Sequence, residues 1–359
     1  MNLKEITLKE ISKRANVSVS TVSAILNNNP TCFAGEKTRK KVIEIAEQLG
    51  YYPNLLYRSL RNKKTNTIGV IIPHLYYSEI TVDIEILESI LWKKSYHLFI
   101  GYTKNYIEKE EALIRDFLSR RVDGIIFVVG KEKGINKEIE KIINKNFPFI
   151  TIGRFRDSKT DFISTDYFKG GYIAGKHLYE KGYEKFGILF GEKTEDLPIE
   201  ERKNGFLKFA QEKNLDIKEY YIKKEYFSNI ETLIKKTEEI GIKILKDKNR
   251  PSAIFTSNDE IAVGLVKSAL KLGIKIPEQL GIIGFDNSLS SIISPIPITT
   301  IRQKKEVIAK RVAENIIKKI EGDNKKIEEF IKPELIERDS TGIRPERKNK
   351  RGVPRACLE

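Results

Sequence analysis

Cysteine, histidine, methionine and tryptophan are scarce in this chain of 359 residues, which contains two Cys, three His, one Met and one Trp. Cys32 and Cys357 are far apart and neither lies in a CxxC pair, so the sequence predicts neither a disulfide framework nor a thiolate metal site. The histidines His74, His97 and His177 lack the HExxH spacing, or any similar spacing, of metal ligands. We therefore predict no metal and no cofactor.

Long apolar runs are also missing. No stretch reaches the roughly 20 apolar residues that a membrane-spanning helix needs. The first residues, MNLKEITLKE, do not contain the uninterrupted apolar core of a signal peptide. We therefore expect a cytoplasmic protein that has no membrane partner.

The sequence contains no recognisable set of catalytic residues. There is no GxSxG nucleophile elbow, and neither cysteine has the sequence context of a nucleophile. Residues 170–177, GGYIAGKH, imitate the phosphate-binding pattern GxxxxGK. However, His177 stands where that pattern needs a hydroxyl group for magnesium, and the segment has helical periodicity. We therefore predict that the protein is not an enzyme.

Positive charge, in contrast, is abundant and unevenly distributed. Of the formal net charge of +15, residues 1–65 carry +7, from twelve Lys and Arg against five Glu and no Asp. A basic N-terminal module on a milder body is typical of nucleic-acid binding. The length of the chain predicts two or three domains. A second basic cluster lies in residues 344–359, which we interpret as a disordered tail with no assigned role.

The clearest motif is TLKEISKRANVSVSTVSAILN, residues 7–27. Thr7 and Glu10 have the spacing of a capping box at the start of a first helix, and Ser18 is a suitable N-cap for a second. Two short helices joined by a tight turn predict a helix-turn-helix, whose second helix enters the major groove of DNA. A capped helical hairpin of any small domain would account for this stretch equally well.

A third helix is predicted over residues 36–49, ended by Gly50. With this helix in place, the chain resembles the LacI/GalR family of bacterial transcription regulators. Three separated motifs carry the resemblance and occur in the family's order: VSVSTVSAILN, EKTRKKVIEIAEQLGYYPN and RSLRNKKTNTIGVIIP. Further similar stretches include STDYFKGGYIAGKHLYEKGY and SPIPITTIRQ, so the resemblance extends to about Thr341.

The resemblance implies which residues contact DNA. Residues 53–61 are too short to hold a helix alone in water, and the family likeness implies that they fold only on operator DNA, paired with a second subunit. Leu60 would wedge into a minor-groove base step, although a linker packed on the body would also fit. Residues 62–66 are expected to form a flexible basic joint. Base reading is assigned to Val19, Ser20 and Ala24, and phosphate contact to Thr7, Ser18, Thr21, Ser23 and Asn27.

Ala24 departs from the family's pattern, because most relatives carry arginine at this position. A bidentate contact between arginine and guanine is worth roughly 1–3 kcal/mol of discrimination. We therefore predict that this protein does not read that guanine. It would rely instead on apolar contact with thymine methyl groups and on DNA shape.

From Thr67 onward, short apolar runs alternate with amphipathic helices, which indicates parallel sheets with helices on both faces. Two such series in tandem imply two lobes with a cleft at the carboxyl ends of the strands. The resemblance implies the fold of type I periplasmic sugar-binding proteins. Strands are predicted at 68–72, 97–101, 124–129, 149–152, 186–190, 252–256 and 280–284, and helices at 82–94, 108–121, 136–145, 167–181, 200–213, 230–246 and 259–271.

The predicted fold class is an all-α helix-turn-helix domain plus hinge helix, followed by two α/β lobes with parallel sheets. Crossings between the lobes are expected near Ser164, Ile293 and Gly322. The predicted domains are a DNA-binding domain at 1–52, a hinge and linker at 53–66, and a two-lobed effector-binding and dimerisation domain at 67–343. Within the last, the N-lobe covers about 67–164 and 294–322, and the C-lobe about 165–293 and 323–343.

Four polar residues are candidates for effector binding in the cleft. Asp286 ends a buried strand, and the resemblance places it on a ligand hydroxyl or ring nitrogen. Asn258 matches an effector-contacting position but could equally cap the helix that follows it. Arg202 and Arg154 also match cleft positions, with a surface ion pair as the alternative for both.

The loop of residues 74–80 departs from the family's pattern, which carries two aromatic residues. Counted from Pro73, those two positions fall on Glu79 and Ile80, and Tyr76 and Tyr77 could supply stacking from a shifted place. This loop leaves the identity of the ligand open.

We predict a sequence-specific transcriptional regulator, specifically a repressor of sugar-metabolism genes, that binds a near-palindromic operator on double-stranded DNA as a homodimer. A sugar or sugar phosphate bound between the lobes would control it by preferring one lobe arrangement. The tail has no leucine heptad, so no tetramer is predicted. The alternative is a sugar-binding protein of a transport system that does not bind DNA.

Overall fold

The computed structural model describes residues 6–27, 32–51, 64–74, 78–130, 134–156, 159–192 and 196–342. The predicted hinge helix with Leu60, the aromatic residues Tyr76 and Tyr77, and the tail lie outside these residues. The chain divides into two compact units, Met1–Thr67 with Arg121–Asp123, and Ile68–Arg120 with Gly124–Glu359. None of the described helices is both long and apolar enough to cross a membrane.

The first unit contains three short helices, α1 (Leu8–Ala15), α2 (Val19–Leu26) and α3 (Glu36–Gln48). Each helix repeats apolar residues at intervals of three and four, so each presents one apolar face. These faces meet in a small core whose fully or almost fully buried members are Ile11, Ala15, Val22, Ile25, Val42 and Ala46.

The helix ends follow the sequence signals with one exception. Ser18 caps α2 as predicted, because its hydroxyl accepts a hydrogen bond from the Thr21 amide at 3.1 Å. Gly50 adopts φ +65° just beyond α3, the left-handed conformation that glycine tolerates best. The predicted capping box is wrong, since Thr7 occupies the N-cap position of α1 but its side chain makes no capping hydrogen bond.

The predicted flexible joint is fixed at its C-terminal end. The amides of Thr65 and Asn66 donate to the two carboxylate oxygens of Asp123 at 2.9 and 2.8 Å. The Asp123 amide in turn donates to the Thr67 carbonyl at 2.8 Å. A carboxylate that accepts from two consecutive amides holds the chain in one conformation there.

The second unit consists of two lobes, each built on a six-stranded sheet. The N-lobe sheet contains β1 (Thr67–Ile72), β2 (His97–Tyr102), β3 (Gly124–Val128), β4 (Phe149–Ile152), β5 (Phe162–Thr165) and β11 (Glu328–Ile331), in the order β11-β5-β4-β3-β1-β2. The central strands are apolar and buried along their length, as expected where helices cover both faces of a sheet. The helices of this lobe are α4 (Ser78–Trp92), α5 (Ile107–Ser119), α6 (Lys137–Asn144) and α12 (Lys305–Ile320).

The C-lobe sheet contains β6 (Phe186–Gly191), β7 (Ile217–Ile222), β8 (Ala253–Thr256), β9 (Gly281–Phe285), β10 (Thr299–Arg302) and β12 (Glu334–Ile336), in the order β12-β10-β9-β8-β6-β7. Its pairs are parallel except for β12, which runs antiparallel to β10. The helices are α7 (Tyr167–Glu180), α8 (Leu197–Glu212), α9 (Ile230–Lys246), α10 (Asp259–Lys271) and the short α11 (Leu289–Ile293).

Two glycines let α7 and α8 pack with their backbones in contact. A Cβ on Gly171 would lie 1.8 Å from the Arg202 carbonyl oxygen, and one on Gly205 would lie 1.8 Å from the Phe168 carbonyl oxygen. No other residue fits at either position without moving a helix. Within the GGYIAGKH segment, Gly171 therefore serves the packing of α7 against α8.

The chain passes between the two sheets after β5, after β10 and after β11. The first crossing lies within two residues of the predicted Ser164. The other two were predicted near Ile293 and Gly322, about ten residues too early, because β10 and β11 are only four residues long and mix polar with apolar side chains. The predicted lobe boundaries move accordingly.

Candidate functional site

Asp286 lies at the carboxyl end of β9, in a turn that two consecutive positive φ angles define. Asp286 has φ +105° and Asn287 has φ +56°, a backbone conformation that non-glycine residues adopt only when their surroundings enforce it. The Asp286 amide donates to the carbonyl of Ile301 at 2.8 Å. Strained backbone of this kind is concentrated at binding sites.

The Asp286 carboxylate is joined to two other elements. Its Oδ1 accepts from Arg202 of α8 at 3.1 Å and from Nε2 of Gln303, just beyond β10, at 2.7 Å. Arg202 also donates to the carbonyl of Ser257, just beyond β8, at 2.6 Å. Because parallel strands end at the same edge of a sheet, residues distant in sequence meet here.

The guanidinium of Arg202 is held in a nearly closed environment. Its side chain is only 9% exposed, and the guanidinium carbon lies 3.8 Å from the centre of the Phe285 ring and 5.0 Å from that of Tyr167. The Nε of Arg202 is buried and has no hydrogen-bond partner among the described residues. The predicted alternative of a surface pair is therefore wrong for Arg202, since its ion pair is buried.

Gln303 was not identified from the sequence, although it ends the quoted stretch SPIPITTIRQ. Its Oε1 accepts hydrogen bonds from Thr165 at 2.9 Å and from the Tyr167 hydroxyl at 3.2 Å. These contacts orient the amide so that its nitrogen faces Asp286. Burial raises the pKa of the Tyr167 phenol far above its usual range, so Tyr167 remains a hydrogen-bond donor at physiological pH.

A second carboxylate, Asp259, lies behind the turn and is fully buried. It accepts from the Thr300 hydroxyl at 2.6 Å and from the Ser288 amide at 2.7 Å. Burial raises the pKa of Asp259 well above its ordinary value, and the negative charge of Asp286 adds to this effect. A Cβ on Gly284 would lie 2.2 Å from the Asp259 carboxylate, so glycine is required there.

Asn258 caps α10, the structural alternative considered from the sequence. Its side-chain oxygen accepts from the Ile261 amide at 3.0 Å. This contact engages the side chain in the helix end, and its predicted contact with an effector stays a prediction.

Arg154 follows β4 in the N-lobe and forms an ion pair with Glu201 of α8 in the C-lobe. Its guanidinium also lies 5.9 Å from the centre of the Phe330 ring. Since Arg202 is the next residue after Glu201, the structure brings three of the predicted residues, Arg154, Arg202 and Asp286, into one region. The backbone of Glu79 lies in the first turn of α4, and its side chain is outside the described part.

The outer surface of α2 carries the residues predicted to contact DNA. Val19 is 41% exposed, and Ser18 and Ser20 are exposed, with their hydroxyls 2.7 Å apart. Asn27 donates to the Ser23 carbonyl at 2.8 Å. The remaining predicted residues are also accessible, Thr7 being exposed and Thr21 and Ala24 half-buried.

The described part of the chain combines a helix-turn-helix unit with a two-lobed α/β receptor that has a polar site at the ends of its strands. This combination defines a class of ligand-controlled DNA-binding regulators. Residues 7–54 match the description "Bacterial regulatory proteins, lacI family", and residues 176–341 match "Periplasmic binding protein-like domain".

Individual relatives agree with this assignment. The chain is 32% identical over 345 residues to "HTH-type transcriptional repressor PurR" of Vibrio vulnificus (strain CMCP6), covering 93% of this chain and 98% of the relative. Its fold is similar to a Lac repressor dimer bound to operator and the anti-inducer ONPF, with a TM-score of 0.81 and 19% identity over 94% of this chain and 100% of the other. A "periplasmic binding protein/LacI transcriptional regulator" from Alkaliphilus metalliredigens QYMF complexed with D-xylulofuranose has a TM-score of 0.63 and 29% identity, over 77% of this chain and 99% of the other.

The chain belongs to the lacI family of bacterial regulatory proteins. It is a DNA-binding transcriptional regulator that carries an effector-binding domain of the periplasmic-binding-protein type.

Proposed function

We propose that this regulator is a repressor that binds a near-palindromic operator as a homodimer, in the cytoplasm and without catalysis, and that a small polyhydroxylated ligand in the cleft controls it. The observation that carries the proposal is the buried Arg202–Asp286 pair, which Gln303 connects to a crossing between the lobes. A ligand that contacts this pair acts where the lobes are joined. The full-length relatives are repressors, which supports this direction of control.

The charges in the cleft favour a neutral ligand. Asp286 compensates Arg202, and Glu201 compensates Arg154, so these two guanidinium groups leave no surplus positive charge for a phosphate. Paired guanidinium and carboxylate groups offer donors and acceptors suited to neighbouring hydroxyls. Of the two sequence-based candidates, an unphosphorylated sugar is therefore the better match.

Exposed apolar surface supports a dimer. On α11 of the C-lobe, Leu289 is 64% exposed, Ile292 52% and Ile293 70%. On the edge strand β2 of the N-lobe, Phe99 is 41% exposed and Ile100 49%. Apolar patches of this kind mark protein interfaces, and pairing of equal patches produces a two-fold symmetric dimer.

On DNA, we propose that α2 presents Val19, Ser20 and Ala24 to base edges. The hydroxyl and amide side chains around them, those of Thr7, Ser18, Thr21, Ser23 and Asn27, would contact phosphates. Leu60 would enter the minor groove between the half-sites. The exposed hydroxyls at the start of α2 support the assigned contacts with base edges and with phosphates.

Selection from a random duplex library with the purified full-length chain tests the DNA function. We expect recovery of a near-palindromic site, bound at least about 10³-fold more tightly than random duplex at moderate salt, which is the lower end of the roughly 10³ to 10⁷ range of specific regulators. No preference for any duplex would overturn the proposal. Retained sugar binding without DNA preference would support the transport-protein alternative.

Thermal-shift measurements with D-ribose, D-xylulose, cellobiose, D-ribose 5-phosphate and hypoxanthine test the ligand class. A bound ligand raises apparent stability by mass action. We expect a shift with a neutral sugar that Asp286→Asn abolishes, whereas Glu180→Gln, at an exposed carboxylate on α7, preserves it. A larger shift with the sugar phosphate would contradict the charge argument.

A further inference from the structure

Two parallel ion pairs connect the N-lobe to the C-lobe. Arg154 and Arg156 follow β4 of the N-lobe, and Glu200 and Glu201 lie near the start of α8 in the C-lobe. Arg154 pairs with Glu201, and Nη2 of Arg156 lies 2.7 Å from Oε2 of Glu200. We call these four side chains the latch.

The inner pair of the latch is well shielded from solvent. The Arg154 side chain is 24% exposed and that of Glu201 is 18% exposed, against 43% and 41% for Arg156 and Glu200. Salt screens exposed pairs strongly but shielded pairs much less. Most of the attraction between the lobes is therefore expected from the inner pair.

Both halves of the latch are rigidly mounted. On the C-lobe side, Gly171 and Gly205 hold α8 against α7 in backbone contact, and Arg202, beside Glu201, is fixed by Asp286. On the N-lobe side, the Arg154 guanidinium lies over the Phe330 ring. Carboxylates near the start of α8 also interact favourably with its helix dipole. Separating the lobes by more than the reach of these side chains therefore breaks the ion pairs.

We propose that the latch keeps the two lobes closed when no ligand is bound. As a statement about regulation, this rests on the proposed effector site. A ligand shifts a conformational equilibrium only by its difference in affinity for the two states. A ligand in the cleft would therefore act on the latch only through its difference in affinity for the closed and the open arrangement.

Distances between spin labels in the full-length chain test the latch without any ligand. Labels at Lys145→Cys in the N-lobe and Lys246→Cys in the C-lobe, both at exposed sites, are introduced after Cys32→Ser and Cys357→Ser. Excess unlabelled chain confines the measurement to distances within one subunit. We expect a single narrow distance distribution at low salt. The double variant Glu200→Gln with Glu201→Gln should raise the ratio of open to closed molecules about tenfold.

Two controls separate the latch from a general loss of structure. Glu180→Gln, which removes an ion pair within α7, should leave the distance distribution between the two spin labels unchanged. Reversing the outer pair, Arg156→Glu with Glu200→Arg, should restore closure that Arg156→Glu alone weakens.

Equal distance distributions in the wild type and the double Gln variant would overturn the proposal, as would an open wild type. A wild type that is closed and a double Gln variant that opens would support the latch even if the wild type bound no operator, and that failure would count against the proposed function alone.

Discussion

At the scale of single residues, Arg338 holds the turn that aims Asp286 into the cleft. Its guanidinium donates to Oδ1 of Asn287 at 2.5 Å and to the carbonyl of Ile298 at 2.8 Å. It also reaches the hydroxyl of Ser291 in α11 at 3.3 Å. Asn287 has a positive φ, and these contacts help to enforce it.

Replacing this guanidinium should weaken the turn. We expect Arg338→Met to lower the free energy of unfolding by about 1–3 kcal/mol, because partly buried acceptors lose their donor. Urea denaturation measures the change. Lys332→Met, at an exposed lysine nearby in sequence, should change stability by less than about 0.5 kcal/mol. Equal effects of the two substitutions would exclude this role for Arg338.

His177 makes stability depend on pH. Burial lowers the pKa of its imidazole from 6.5 to about 4, and Nε2 lies 2.8 Å from the Thr341 hydroxyl. The unfolded chain therefore binds a proton below pH 6.5 that the folded chain does not bind until about pH 4. Stability should fall as the pH drops from 6.5 to 4, by at most roughly 3 kcal/mol.

Urea denaturation at several pH values measures this loss. His177→Gln should flatten the pH dependence between 6.5 and 4, whereas His97→Gln, at an exposed histidine, should retain it. An unchanged slope in His177→Gln would refute the assignment.

Ala24 offers a gain-of-function test on DNA. We expect Ala24→Arg to create a preference for guanine at one position of each half-site, worth roughly 1–3 kcal/mol. Repeating the duplex selection with the variant measures it. Recovery of the same guanine with the unchanged chain would show that Ala24 does not determine this preference.

At the scale of elements, the contact between α7 and α8 places Arg202 in the cleft. A methyl group on Gly171 would meet the backbone carbonyl of Arg202 itself. A methyl group on Gly175, one helical turn later, would meet the Phe209 side chain, with the nearest ring carbon at 3.0 Å. At Gly175, the Phe209 ring can rotate away from an added methyl group. At Gly171, the Arg202 carbonyl is part of a helix and cannot move away.

Gly171→Ala should accordingly destabilise the fold by about 1–3 kcal/mol and abolish the sugar-dependent thermal shift. Gly175→Ala should cost less than half as much and preserve the shift. The measurements are urea denaturation and the same ligand panel. If Gly171→Ala changed neither the free energy of unfolding nor the thermal shift, α7 and α8 could separate without affecting stability or ligand binding.

Long amphipathic helices and buried apolar strands such as β4 were predicted well, whereas short strands that mix polar and apolar residues were missed. The bounds of α9 and α10 match the predicted ranges, because apolar periodicity persists over thirteen residues or more. β10 was missed because Thr299 and Thr300 are polar yet fully buried. The Thr299 hydroxyl donates to the Arg338 carbonyl and the Thr300 hydroxyl donates to the Asp259 carboxylate. The sequence does not reveal such distant partners.

The candidate site was predictable only in part, for the same reason. Asp286 and Arg202 were found through their motifs, but their direct contact spans 84 positions of sequence. Gln303 and Asp259 have no local signal, since their roles depend on strands that meet only in the folded lobe. The exposed residues of α2, in contrast, follow from the periodicity of one short helix, and their contacts with DNA stay predictions.

At the scale of the whole molecule, the exposed apolar face of α11 points to subunit association. We expect the double variant Ile292→Glu with Ile293→Glu to raise the dimer dissociation constant at least tenfold, because charges would enter an apolar interface. Sedimentation equilibrium measures it. Both side chains are more than half exposed, so folding should be unaffected. Val307→Glu on α12 is the matched control, and an unchanged dimer in the α11 variant would exclude this face.

The amide of Gln303 links Asp286, the proposed ligand contact, to two of the crossings between the lobes. Its oxygen accepts from Thr165 and Tyr167, which flank the first crossing, while its nitrogen reaches Asp286 from the second. Turning one lobe about these crossings must reorient this side chain. A ligand that binds Asp286 would therefore act on these crossings through Gln303 alone, without a series of intermediate side chains.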